Sequence, residues 1–285
     1  MILAPDTRVA SRRSVRQVLL LAPSLEDVPT PFCNLVSSPQ QYARLLMETQ
    51  RLRGGIYLDD GAIRPEELTS DGRHIEACDL KSWHILTLDE SGSVQGCARC
   101  HCRRQKVAFS ELGLGRSALA LSDRWGNKIR RAVEDTIDRV VQSGHAFGEL
   151  GGWAIAEHLR CTTTMMRIAL STWALVRSLD IHFLCSTATR RHCSAAILRK
   201  LGGRAFEADG AEVPHYWEPR YGCEMELLRF DHLDDAHPLF EPRVQEFQNL
   251  LATMPVICRG PRPGAGRREF AGFALQPELD LIAHA

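Results

Sequence analysis

Residues 148–203 read GELGGWAIAEHLRCTTTMMRIALSTWALVRSLDIHFLCSTATRRHCSAAILRKLGG, and this stretch decides the fold. It begins with a strand-like run over 149–155 and continues with apolar residues at helical spacing over 162–179. The nearly continuous apolar run at 181–185 is typical of a strand that is covered on both faces. A helix over 194–201 follows, and Gly202 stands where a glycine commonly ends a helix. This alternation predicts an α/β fold in which helices cover a sheet.

Further elements are predicted on both sides of this stretch. A helix is expected to begin at Ser38-Pro39 and to end at Gly54-Gly55, with an extended segment over 56–58. The others are a hairpin with strands over 83–88 and 94–102, a helix over 127–141, one or two strands within 216–230 and a helix over 244–251. Residues 18–22 are interpreted as a short strand or a loose arm, because the apolar run is too short for a signal peptide.

The elements predict one main domain with two extensions. We expect residues 38–232 to form the domain, residues 1–37 an N-terminal extension, and residues 233–285 a C-terminal extension that packs on the same domain. The formal net charge is zero, so bulk attraction to nucleic acid is not expected. No stretch approaches the ~20 apolar residues that a membrane span needs. The ten cysteines are scattered, and we expect reduced thiols in a cytoplasmic protein.

The order of elements over 149–203 resembles the acyl-donor half of the GNAT superfamily of N-acyltransferases. The resemblance implies a mixed, splayed central sheet that is flanked by helices, an α/β (α+β) fold in which two neighbouring parallel strands diverge. The pantetheine arm of the donor then lies between these strands. Its phosphates lie at the start of the following helix, where unpaired N–H groups favour an anion.

The turn before that helix departs from the common pattern of coenzyme A-dependent members. They carry Arg/Gln-x-x-Gly-x-Gly/Ala, whereas this chain has Arg160-Cys161-Thr162-Thr163-Thr164, without a glycine. Threonines cap a helix, but their side chains crowd the backbone N–H groups that would bind a pyrophosphate. A donor with a single phosphate, as on an acyl carrier protein, needs fewer of these backbone contacts. The resemblance is therefore to the branch of N-acyl amino acid synthases and acyl-homoserine-lactone synthases. It implies acyl carrier protein as partner and acyl-phosphopantetheine as donor; acyl-coenzyme A is the alternative donor, and no permanently bound cofactor is expected.

Other motifs resemble the same branch. Arg53 after the first helix, Asp79 before the 83–88 strand, and Arg99 in a Gly-x-x-Arg strand correspond to its acceptor side, and Arg99 is a candidate for binding an acceptor carboxylate. Glu149 is similar to the Glu that opens a Glu-x-Ser-Arg strand. Here the chain lacks the Ser-Arg, which makes the match closer to the N-acyl amino acid synthases.

The chemistry of acyl transfer suggests roles for individual residues. Glu149 is a candidate general base for the acceptor amine, a backbone N–H near Trp153 a candidate donor to the oxyanion, and His192 a candidate proton donor to the leaving thiolate. The remaining residues assigned to the donor are Gly151, Gly152, Ile155, Arg160, Thr162, Thr163 and Thr164. The structural alternatives are an ion-paired Glu149, an exposed strand arginine at Arg99, a core Trp153, a bulge at the glycines, and helix capping by the threonines. Ser194 is the alternative to His192, and the thiolate can also leave unaided.

The function expected is transfer of a long-chain fatty acyl group from acyl carrier protein to the α-amine of an amino acid. Two alternatives keep the fold: an enzyme that uses acyl-coenzyme A, and a non-catalytic binding protein with a lipid or carrier pocket. The third is a zinc or redox module at residues 97–102. It is disfavoured because strand alternation puts Cys97 on the face opposite to Cys100 and Cys102, and no metal site is predicted.

Overall fold

The computed structural model describes residues 17–24, 28–29, 31–160, 162–231 and 238–261, apart from the side chain of His192. The helices are α1 (Pro39–Asp59), α2 (Gly126–Gln142), α3 (Thr163–Ser178), α4 (Ser194–Lys200) and α5 (Glu241–Leu251). The strands are β1 (Gln17–Leu21), β2 (Leu35–Ser37), β3 (Trp83–Leu88), β4 (Val94–Arg103), β5 (Ala146–Ile155), β6 (Ile181–Thr189), β7 (Arg204–Ala205), β8 (Glu207–Ala208), β9 (Ala211–Glu212), β10 (Tyr216–Glu218), β11 (Cys223–Asp231) and β12 (Val256–Cys258).

A ten-stranded mixed sheet forms the centre of the molecule. The strand order is β10-β11-β6-β5-β4-β3-β1-β12-β2, and β7 pairs with β11 outside this path. Strands β5 and β6 run parallel, whereas β4 is antiparallel to both β3 and β5. Helices lie on both faces of the sheet. This arrangement confirms the predicted fold class.

Both predicted extensions contribute strands to this sheet. Strands β1 and β2 come before residue 38, and β12 comes after residue 232. Strand β12 lies between β1 and β2 and is parallel to each. The strand β1 is buried throughout, so residues 18–22 belong to a core strand rather than to a loose arm. The segments on either side of 38–232 therefore complete the central sheet.

Helix α1 is longer than predicted, and the extended segment expected over 56–58 is wrong. The helix continues through Gly54-Gly55 to Asp59. A Cβ atom at Gly54 would lie 2.4 Å from the carbonyl oxygen of Gly72, so this glycine allows a loop to pack closely against the helix. Such a packing requirement is a common reason for a glycine within a helical pattern.

Side-chain alternation divides the sheet into two faces. One face packs against α3 and α5 in an apolar cluster that includes Cys100 and Trp173. The other face is covered by α1 at one end and by α2 at the other, in two separate apolar clusters; one of these contains Cys97. Polar side chains occupy the middle of that face, between the two helices. Among the described residues, no helix combines the length and apolar character of a membrane span.

Candidate active site

Strands β5 and β6 are paired only along their first halves. Their last pair is Glu149–Cys185, although both strands continue beyond it. Just past this pair, the hydroxyl of Ser186 donates to the carbonyl of Leu150 at 3.1 Å, where a backbone ladder bond would otherwise be expected. The strands then diverge. The predicted gap between two parallel strands is therefore present.

A cavity of about 1120 Å³ fills this gap. Arg99 and Glu149 line it on the face that carries α1 and α2, and Met165 and Met166 of α3 line it on the opposite face. The cavity therefore passes through the sheet at the point where β5 and β6 separate. An elongated ligand has access to backbone on both sides of it.

The β5 wall of the cavity contains a β-bulge. The register with β4 shifts after the pair Arg99–Gly151, so that Gly152 and Trp153 together oppose a single residue of β4. Gly152 has φ of +62°, and a Cβ atom there would lie 3.0 Å from the Cβ of Arg99 and 3.2 Å from Nη1 of Arg53. Both the left-handed backbone and the close approach require glycine. A bulge leaves its extra residue outside the regular ladder, and here the carbonyl of Gly152 accepts a hydrogen bond from Sγ of Cys97 at 3.3 Å.

The three residues predicted on the acceptor side come together behind this bulge. Arg53 donates to both carboxylate oxygens of Asp79, at 2.8 and 2.7 Å. Arg99 donates to Asp79 at 3.0 Å and to Glu76 at 2.9 Å. Burial alone would raise the pKa of Asp79, but the hydrogen bonds and charge of Arg53 and the charge of Arg99 outweigh it, so that the pKa is lowered. The cluster is therefore a charged, hydrogen-bonded support for the cavity wall, in which Nε of Arg53 alone among these guanidinium and carboxylate atoms is buried without a partner in the described part of the chain.

Within this cluster only Arg99 and Glu76 reach the cavity surface. The side chains of Arg53 and Asp79 are 0% and 2% exposed. Arg99 therefore lines the cavity, and Asp79 of the buried pair accepts a hydrogen bond from its guanidinium. Burial opposes the charge of Arg99, but the charge of Glu76 and its hydrogen bond more than compensate and raise the pKa of Arg99, so it is cationic throughout the usual pH range.

Glu149 lies in the cavity and is held from two sides. Its Oε2 accepts a hydrogen bond from Nη1 of Arg103 at 3.1 Å, and its Oε1 accepts one from the backbone N–H of Leu114 at 3.3 Å. The side chain remains 16% exposed, on the cavity side. The ion pair expected of a structural role and the position expected of a catalytic role are therefore both present.

The sequence motifs did not predict two residues of the cavity. His101 and Arg103 follow Arg99 at alternate positions of β4 and so share its face, and His101 lies opposite Glu149 in the neighbouring strand. Burial, followed by the charges of Arg103 and Arg99, lowers the pKa of His101 to about 4, so its imidazole is neutral near pH 7. The signal in the sequence was the two-residue alternation that begins at Arg99.

The start of α3 borders the other end of the cavity. Thr162 caps this helix, and its Oγ1 accepts the N–H of Thr164 at 3.2 Å. Thr162 and Thr163 line the cavity, whereas Thr164 is buried. Arg160 also lines it and lies 3.5 Å from the carboxylate of Asp60 at the end of α1. Most of the residues assigned to donor phosphates are therefore gathered in one place.

The other predicted donor residues follow β5, and the predicted oxyanion position lies among them. Gly151, Gly152 and Ile155 line the cavity, as does Trp153. Trp153 is half-buried and also packs against the apolar cluster around α3, so it combines a cavity position with a packing role. The side chain of His192 lies outside the described part of the protein, and its role stays a prediction.

Arg191 is a further cation at the α3 end of the cavity. Its guanidinium donates to the backbone carbonyls of Asp60 at 3.0 Å, Tyr221 at 2.6 Å and Gly222 at 3.0 Å. No carboxylate among the described residues lies within ion-pair distance of it. Since Arg191 also lines the cavity, this end offers an uncompensated positive charge to an anionic group.

Several solved acyl-homoserine lactone synthases share this fold. BjaI, a CoA-dependent synthase solved with SAM and isopentyl-CoA, has a TM-score of 0.52 and 12% identity, over 87% of this chain and 95% of its own. MesI, also CoA-dependent, has a TM-score of 0.50 and 15% identity, over 86% of this chain and 100% of its own. TofI, solved with an inhibitor and MTA, has a TM-score of 0.50 and 15% identity, over 82% of this chain and 99% of its own.

Sequence comparison alone does not reveal this relationship. No protein-family profile matches the chain, and no curated protein sequence matches it. The likeness to the three structures is therefore one of fold, and it agrees with the predicted fold class.

Proposed function

We propose that this chain is an N-acyltransferase that moves a fatty acyl group from a pantetheine thioester to the α-amine of an amino acid. The observation that carries this proposal is the end of β5–β6 pairing at Glu149–Cys185. Beyond that pair the two strand edges face a cavity that passes through the sheet. Free backbone edges suit an amide-rich arm, which can pair with them as an added strand would.

The β-bulge is the proposed position of the thioester carbonyl. In this proposal, a backbone N–H near Trp153 stabilises the oxyanion that forms when the amine attacks. Gly151, Gly152 and Ile155 line the path of the arm. The bulge supports this assignment because it interrupts the regular β4–β5 ladder at the middle of the cavity wall.

The acceptor is proposed to bind on the β4 side of the cavity. Arg99 pairs with its carboxylate, while Arg53 and Asp79 hold the Arg99 guanidinium in position. Glu149, or a water that it orients, takes the proton from the attacking amine. The neutral imidazole of His101 lies across the strand pair from Glu149 and is a second candidate for that proton. His192 is the proposed donor to the leaving thiolate.

The donor is proposed to be an acyl carrier protein with its single phosphate at the start of α3. Thr162 already occupies one of the N–H groups there, which leaves less of the helix end for a pyrophosphate. Arg160 and Arg191 supply positive charge beside it. Two of the synthases that share the fold are described as CoA-dependent, so acyl-coenzyme A is included as a donor in the test.

Purified protein is incubated with long-chain acyl groups on acyl carrier protein or on coenzyme A, and with each amino acid in turn. SAM is added as a separate acceptor, because BjaI was solved with it. We expect an N-acyl amino acid by mass spectrometry, formed faster from the carrier protein. Lactone formation from SAM would contradict the proposed amino-acid acceptor and would identify SAM as the acceptor instead. The absence of product from every donor and acceptor would contradict enzymatic acyl transfer.

Substitution of the cavity carboxylate separates catalysis from binding. Glu149→Gln is expected to lower kcat by about 10²- to 10⁴-fold, in the range of general-base catalysis, while the donor still binds. Glu157→Gln changes an exposed carboxylate outside the cavity and serves as the matched control. A Glu149→Gln protein with unchanged kcat would remove this residue from the mechanism and leave His101 to be tested in the same way.

A further inference from the structure

Three side chains that are typical metal ligands meet at the end of β5 and β6 away from the cavity. His145 precedes β5, Asp180 precedes β6, and His182 lies on β6. Asp180 Oδ2 is 3.4 Å from Nδ1 of His145, and Asp180 Oδ1 is 2.9 Å from Nε2 of His182. One ligand atom of each residue lies within 4.8 Å of those of the other two.

Two departures from regular backbone bring these side chains together. The β5–β6 register shifts after the pair Ala146–Ile181, so that His182 is an extra residue on β6. Asp180 has φ of +56°, a left-handed conformation that is uncommon for residues other than glycine. As a result, the imidazole rings of His145 and His182 stack with centroids 3.4 Å apart. The arrangement is therefore imposed by the backbone.

We infer that His145, Asp180 and His182 form a binding site for a divalent transition-metal ion such as Zn²⁺. Two imidazoles and a carboxylate are the donor set that such ions take, at about 2.0–2.2 Å. Donor atoms around a tetrahedral ion are then about 3.4 Å apart. The two Asp180–histidine distances are already 3.4 and 2.9 Å, and any wider pair, at most 4.8 Å, must close by no more than roughly 1.4 Å. They are between 27% and 52% exposed, which leaves them room to rotate.

The surroundings of these residues favour an ion with open coordination positions. A smaller cavity of about 200 Å³ adjoins the two histidines, and its other polar lining residues are Thr136, Arg139, Ser143, Arg229 and Asp231. It has room for the water molecules that would complete the coordination. Arg229 is paired with Asp231 at 2.6 Å, so its positive charge is compensated. Arg139 donates to the Asp135 carbonyl at 3.3 Å and to Thr136 Oγ1 at 3.2 Å, and its charge opposes the ion. A bound ion would tie the start of β5 to the start of β6, at the paired end of the two strands.

The test is titration of the metal-free, full-length protein with ZnCl₂ by isothermal calorimetry. The principal variant is Asp180→Asn, because asparagine tolerates the left-handed backbone but loses the charge of the ligand. His182→Gln is the second variant. His158→Gln changes an exposed histidine away from the three residues and is the control. We expect the wild type and the control to bind one Zn²⁺ with the same affinity. Asp180→Asn and His182→Gln should each bind this ion at least about tenfold more weakly.

The nine described cysteines are free thiols, so Co²⁺ replaces Zn²⁺ in a parallel titration. Cobalt at this site is expected to give visible bands without the near-ultraviolet band of a cobalt thiolate. Zn²⁺ should also raise the Tm of the wild type more than that of Asp180→Asn. Equal stoichiometry and affinity in the wild type, Asp180→Asn and His182→Gln would overturn the inference, as would binding that gives only the thiolate band.

Discussion

The two glycines of the cavity wall have different reasons to be glycine. At Gly152 a side chain meets both a left-handed backbone and close neighbours, Arg99 and Arg53, whereas a Cβ atom at Gly151 comes no closer than 3.6 Å, to Nη2 of Arg99. Gly152→Ala is therefore expected to lower the free energy of unfolding by about 1–2 kcal/mol and to reduce acyl transfer with it.

Gly151→Ala is the matched control for this prediction. Its contact is an ordinary van der Waals distance, so the free energy of unfolding should change by no more than about 0.5 kcal/mol. Urea unfolding of both variants gives the comparison. Equal stability of the two proteins would contradict the role of the bulge in shaping this wall.

A buried histidine makes stability depend on pH. His84 lies wholly inside the protein, its Nε2 donates to the carbonyl of Asp79 at 2.8 Å, and its Nδ1 has no hydrogen-bond partner among the described residues. Burial lowers the pKa of His84 to about 4, against the opposing charge of Asp79. In the unfolded chain the pKa returns to about 6.5, so the unfolded state binds more protons between about pH 6.5 and pH 4.

The free energy of unfolding is therefore expected to fall as the pH is lowered through that window, by up to about 3 kcal/mol for this residue. Asp79, whose pKa is lowered from 3.8, contributes only at more acidic pH. His84→Gln should flatten the dependence of the free energy of unfolding on pH. Part of this dependence should remain, because the pKa of His101 is similarly lowered. His158→Gln, at an exposed position, should leave the slope as in the wild type. An unchanged slope in His84→Gln, measured by urea unfolding at several pH values, would contradict the argument.

At the scale of the element, the start of α3 depends on one hydroxyl. Thr162 Oγ1 accepts the N–H of Thr164 and donates to the carbonyl of Leu159. Thr162→Ala is expected to cost about 1 kcal/mol of stability and to raise the KM for the acyl donor. Thr163→Ala is the control for stability alone, since the Thr163 side chain makes no hydrogen bond within the described ranges. If both variants unfold at the same urea concentration as the wild type, the cap does not stabilise this helix.

Local sequence signals predicted the ends of helices well where no contact with a distant segment intervenes. The Ser38-Pro39 start of α1, the Thr162 start of α3 and the left-handed Gly202 after α4 all follow from capping chemistry. Through the family resemblance the sequence also singled out Arg53, Asp79, Arg99 and Glu149; Arg99 and Glu149 line the cavity, and Arg53 and Asp79 are buried behind Arg99. It failed at Gly54, because the reason for that glycine is a loop that packs on it from residue 72.

The site was predicted less completely than the fold for the same physical reason. That Arg53 and Asp79 are buried and only Arg99 reaches the cavity depends on packing between α1, β4 and the segment before β3, which no local pattern encodes. Arg191 was hidden because its partners are carbonyls from distant parts of the chain. Contacts between elements far apart in sequence decided what the motifs alone did not.

At the scale of the whole molecule, β12 has a consequence for synthesis on the ribosome. Within the described ranges β2 pairs with β12 alone, and β12 lies between it and β1. Because a nascent chain emerges from its N-terminus, the segment at residues 35–37 must wait for residues 256–258 before it can take its place. A ribosome-stalled chain that ends before residue 256 should show rapid protease cleavage near β2, whereas the released full-length chain should not. Equal protection of the two chains would mean that β2 becomes ordered without pairing to β12.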